Sequence, residues 1–251
     1  MLSDTTVDLD EVEGVLVLTI NGEEFVLAAE DDEEADPRQY KANFEDGSYI
    51  DLFNYTGNII DLQSDSSGAA ELLTMYSDPG GDARRTYFIV GSETTDEALA
   101  GLTGSTVQYI GLARISANPE TSFEGEDSTW FLNGTLELLV SFDSSTLSGT
   151  MDGLVAVSER NEGGNRTSFP TDGAILFDSA SFEEGNAFQG TLSADSTLAM
   201  NTDFLLADAE AVYAGAFYGD AGEEIAGTIT GEGTFQGEAY NFVGGFHTEE
   251  D

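Results

Sequence analysis

The chain has 251 residues, 40% of them hydrophobic, enough to bury a real core in one large or two small domains. Against 49 Asp and Glu stand 7 Lys and Arg, a formal net charge of −42 that excludes nucleic acid and anionic membrane surfaces as partners, since no basic stripe compensates. Cysteine is absent, which excludes disulfides, thiolate metal sites and a cysteine nucleophile, and no apolar run is long enough to cross a membrane as a helix. The acids are spread along the chain. This distribution favours solubility in a salt-rich medium, where charges are screened over about 8 Å or less, over attraction of a basic protein partner or of cations.

In chain order, VLVLTI (15–20) is too short and too closely preceded by acids to be a signal peptide, so it reads as a strand. No export signal is therefore expected within the sequence, which leaves open that a processed N-terminus was removed or that export uses another route. Asn21-Gly22 and EEFVLAAE complete a hairpin with a primed two-residue turn, because Asn-Gly tolerates the positive φ that both turn positions require. EDDEEADP (30–37) reads as a solvated loop, and Tyr40 to Ile60 as a second alternating stretch turning at Asp46-Gly47. Residues 62–76 are expected to include one short helix. The turn-rich segment SDPGGDARR (77–85) then separates a small N-terminal β region, 1–85, from a second domain, 86–251.

From Thr86 onward roughly eight extended segments follow, the strand number at which a barrel interior is just filled by side chains or holds one small ligand. Closure suits an exported β protein because it removes unpaired edges. The fold class is thus all-β: an eight-stranded antiparallel barrel preceded by a small, handle-like N-terminal sheet. SERNEGGNRTSFP (158–170) is the most irregular loop of this half. Arg160 and Arg166 beside its glycines make it a candidate contact loop, although a plain hairpin tip is the commoner reading of such a segment.

Catalytic constellations are nearly absent. The one histidine, His247, sits four residues from the C-terminus, where a solvent-exposed tail residue is expected, and neither G-x-S-x-G nor H-E-x-x-H occurs. Adjacent carboxylates are expected by chance at this acidity, so nothing marks a general acid and base, and the chain does not read as an enzyme. Calcium has weak candidate ligands in the 30–36 run and in Asp220 with Glu223 and Glu224. Neither segment fits a D-x-[DN]-x-[DN]-G loop, so solvated acids are the favoured reading. Phe217, Tyr218, Phe235, Tyr240, Phe242 and Phe246 alternate with glycine or small residues, as suits a barrel whose small positions let large rings fill its taper.

One stretch carries a resemblance. YAGAFYGDAGEEIAGTITGEGTFQGEAYNFVGGF (213–246), with Gly215-Ala216-Phe217-Tyr218-Gly219, then Glu223-Glu224, then Gly227, resembles the closing segment of the β-barrel domain of transferrin-binding protein B and its lipoprotein relatives. Upstream, 87–113 is similar to that family's first-strand layout, with Gly104-Ser105-Thr106-Val107-Gln108-Tyr109 and Gly111, and 134–154 and 187–198 resemble its repeated hairpins. The resemblance implies a non-enzymatic bacterial binding protein of iron- or haem-acquisition type, secreted or held at the outer-membrane surface. Such a protein recognises a protein or small-molecule ligand through barrel loops and one barrel face, without inserting in the membrane.

The chain departs from the pathogen proteins in having a single barrel half, no anchoring cysteine and one lysine, so it looks more like single-barrel relatives of salt-adapted bacteria. Arg160, Arg166, Tyr218 and His247 are the candidate ligand contacts. Some relatives in the wider barrel family bind haem, which makes His247 a candidate axial ligand and a haem carrier one alternative function. No cofactor is otherwise expected. A cysteine-free, glycine-rich β protein also fits a self-assembling subunit of a surface layer, filament or particle.

Overall fold

The computed structural model describes residues 7–12, 15–20, 22–29, 39–43, 49–54, 70–77, 84–102, 104, 106–119, 128–160, 167–182, 185–199, 210–235 and 238–251. These fall into two compact units: 1–66 with 71–91, and 67–70 with 92–251.

The first unit is an antiparallel meander. Strands β1 (Val7–Val12), β2 (Val15–Ile20), β3 (Glu23–Ala29), β4 (Gln39–Asn43), β5 (Tyr49–Asn54), β6 (Glu71–Ser77) and β7 (Arg84–Val90) pair in sequence order. The hairpin turn falls where the sequence puts it: Ile20 faces Glu23, and Gly22 takes φ +85°, a conformation open to glycine at little steric cost, while Asn21 lies outside the described residues. Leu16, Leu18, Leu27, Ile50, Leu52, Leu73 and Met75 are buried together as this unit's core. The acidic loop at 30–37 and the Asp46-Gly47 turn lie outside the described residues.

Two expectations are corrected here. Of the stretch 62–76, where one short helix was expected, 62–69 lie outside the described residues, and from Glu71 on the chain is instead strand β6 (Glu71–Ser77), paired with β5 and β7. Leu72, Leu73, Thr74 and Met75 are all buried, so both faces of this strand are covered and the apolar alternation that marks a strand is erased. The boundary between units also lies later than 85, after Gly91, because Arg84–Val90 completes the meander by pairing with β6.

The second unit is a closed barrel. Strands β8 (Thr106–Pro119), β9 (Ser128–Ser141), β10 (Thr146–Arg160), β12 (Ile175–Ser181), β13 (Ala187–Ala194), β14 (Glu210–Tyr218), β15 (Glu224–Phe235) and β16 (Glu238–Glu250) pair antiparallel around a ring. β16 returns to β8, pairing Tyr240 with Pro119 through to Glu250 with Tyr109, and this seam closes the barrel. The short β11 (Thr167–Pro170) pairs with Val155–Ser158 of β10 while β12 pairs with Thr146–Met151, so the two run in line along one side of β10. Period-two patterning is plain on β9: Leu136, Leu138 and Val140 are buried, whereas Thr135, Glu137 and Leu139 are exposed.

The barrel interior is filled. Phe217, fully buried, lies within 5.0 to 6.4 Å of the ring centroids of Phe182, Phe142, Phe188 and Tyr109. Phe177 lies 4.8 Å from Tyr213 and 5.5 Å from Phe246, extending the ring cluster along the axis. Glycine is what lets these rings in: a Cβ on Gly227 would collide with the Phe246 ring and the Ala214 carbonyl, and one on Gly190 with the Tyr213 ring. Phe217, Tyr240, Phe242 and Phe246 are all buried, as the glycine-aromatic alternation implies.

Candidate functional site

The FYG to EE to G element forms one end of this barrel, and its polar groups are spent on closing that end. The segment 92–102 crosses it, held by the Thr94 N–H donating to Phe217 O at 2.8 Å and the Gly219 N–H donating to Ser92 O at 3.1 Å. The Thr94 hydroxyl donates to Gly219 O at 2.8 Å, and Asn186 Nδ2 donates to Thr94 O at 2.9 Å and to Glu93 Oε2 at 3.1 Å. Next comes the short helix α1 (Asp96–Ala100), whose N-cap Thr95 accepts the Ala98 N–H. Its Leu99 is buried in the barrel core, and Leu102 packs against the same cluster. The Tyr109 hydroxyl, inside, donates to Gly222 O at 2.6 Å and fixes the 219–223 loop from below. Burial, reinforced by the charges of Glu250 and Glu223, pushes that phenol well above its ordinary value, which keeps it a neutral donor.

Tyr218, a candidate ligand contact, is part of the wall. Only 7% exposed, it bridges Glu93 through the backbone, and burial together with the Glu93 charge pushes its phenol up to about 12. Arg160 ends β10 opposite Ser128, and Arg166 with the rest of 161–166 lies outside the described residues.

His247 is corrected. The expected exposed tail residue is 8% exposed and sits within β16, paired with Ala226 on one side and Leu112 on the other. Its Nε2 lies 2.9 Å from Glu224 Oε2, and the same carboxylate oxygen accepts the Ala70 N–H at 2.6 Å. Phe246 and Thr248 are fully buried beside it, so strand alternation turns His247 to the outer side of the wall while its neighbours face in. Nε2, one of the two ring nitrogens that could ligate a haem iron, is thus engaged by a carboxylate.

The three acids proposed as weak calcium ligands do not converge either. Glu224 turns to His247, whereas Glu223 folds back onto its own loop, where its Oε2 accepts the Ala221 N–H at 3.0 Å, and Asp220 is exposed. Among the described residues, no three His, Asp or Glu side chains gather closely enough to hold a metal ion. The 30–36 run lies outside the described residues. No described helix is long and apolar enough to cross a membrane.

Thr94, Thr95 and Asn186, which pin this end, were not singled out in the sequence. The signal for Thr95 was available, since Thr95-Asp96-Glu97 ahead of Ala-Leu-Ala is a helix N-cap followed by an acidic first turn, whereas Thr94 bonds to Phe217 and Gly219 far along the chain. Nothing local marks Asn186, whose partners lie 92 and 93 residues away.

Comparison with known proteins agrees with this architecture. The profile of the family described as C-lobe and N-lobe beta barrels of Tf-binding protein B matches residues 103–249, more than half of the chain. No curated protein matches. Among solved structures, a tryptophan-to-alanine variant of the vaccine antigen transferrin binding protein B from Haemophilus parasuis Hp5 is similar at 16% identity and a TM-score of 0.54, over 93% of this chain and 40% of that one. The isotype 1 transferrin binding protein B from serogroup B Neisseria meningitidis is similar at 17% identity and a TM-score of 0.54, over 99% of this chain and 42% of that one. The chain thus spans well under half the length of these solved relatives.

Proposed function

Because the chain belongs to the family of the C-lobe and N-lobe β-barrels of transferrin-binding protein B, we propose that it is a non-enzymatic binding protein displayed at, or released from, a bacterial surface. Its proposed ligand is a protein or small molecule recognised from outside the barrel. The observation that carries this reading is the filled interior. Phe217 and the four rings around it occupy the space that a ligand-carrying barrel would leave open, so recognition falls to loops and outer wall. The similar solved proteins are transferrin-binding by name, which supports a protein ligand here without assigning transferrin.

The loop after β10 is the proposed contact, with Arg160 and Arg166 supplying two of the few cations of a strongly acidic chain. The acidity itself suits solvation in salt, because exposed like charges repel less once screened. A surface role is tested on intact cells that produce the protein natively. Antibody against the barrel is expected to label them, and added protease to remove the label; labelling only after lysis would overturn the proposal.

A further inference from the structure

We draw no further inference here: the strongest candidate, the apolar recess inside the barrel between Ile115, Ile175, Ala211 and Phe242, leaves too little room for an organic ligand, and nothing in the structure shows what would occupy or cover it.

Discussion

The two ends of the barrel are finished in different ways. At the end where α1 crosses, rings fill the interior, glycines admit them, and backbone groups of 92–102 and 217–223 are paired with one another. Toward the other end Ile115, Ile175, Leu192, Ala211 and Ile229 surround a small recess beside Phe242, and the rings of Tyr240 and Trp130 pack against the same core. The short helix α2 (Ser196–Ala199) sits there, with Leu198 buried in the core. Ring packing around Phe217 fixes one end by shape, and at the other end mainly aliphatic side chains border the small recess. The family-like FYG to EE to G element belongs to the first end, so it is legible in the sequence for architectural reasons and need not mark a binding surface.

The comparison is broken most severely by emptying the ring cluster. Phe217→Ala removes a fully buried ring in contact with four others, and a loss of roughly 3–5 kcal/mol is expected in equilibrium urea unfolding. A loss under about 1 kcal/mol would mean that the rings do not hold this end.

Adding carbon instead of removing it sharpens the contrast. Gly227→Ala drives a methyl group into the Phe246 ring and the Ala214 carbonyl, and a destabilisation of about 1–3 kcal/mol is expected. Ala211→Val adds carbon beside the recess and is expected to change stability by less than about 1 kcal/mol. Thermal unfolding of the two variants side by side reads the difference, and equal losses would remove the distinction between the ends.

The smallest expected effect is electrostatic and lies at the aliphatic end. Asp195 caps α2 by accepting the Leu198 N–H at 2.7 Å, and that bond foremost lowers its carboxyl below the ordinary 3.8. A carboxyl lowered in the folded state contributes stability above its unfolded pKa and loses it as pH falls through the folded value. Asp195→Asn should therefore lower the melting temperature slightly at neutral pH, and the gap from the parent protein should close in acid. A gap that is constant with pH would show that the cap does not act through its charge.

Much of this was readable in advance, for identifiable reasons. The Asn21-Gly22 hairpin rests on a local conformational demand, and the barrel strands rest on alternation that survives wherever one face is exposed, as on β9. Strand β6 was hidden because burial on both sides removed its alternation and left a Leu-Leu-Thr-Met run that also suits a helix. His247 was misread as an exposed tail because its partner is 23 residues away on the neighbouring strand, and only the β15–β16 register brings Glu224 within reach. Of the candidate site, the loop and its cations rest on the sequence alone, since 161–166 lie outside the described residues. The sequence could not show that Tyr218 and Glu224 are committed to the wall, since that depends on pairings with Glu93 and His247 far along the chain.

The barrel stands or falls with the β8–β16 seam, and a cysteine-free chain allows it to be probed with a single engineered pair. Ile110 and Glu249 face each other in that seam. Directly paired antiparallel residues have Cα atoms about 4.5–5.5 Å apart, within the range a disulfide spans. The double variant Ile110→Cys, Glu249→Cys is expected to form an intramolecular disulfide under mild oxidation, seen as a monomer whose mobility on non-reducing gels shifts on reduction. Two free thiols in the folded monomer, or crosslinks only between chains, would contradict the closed barrel.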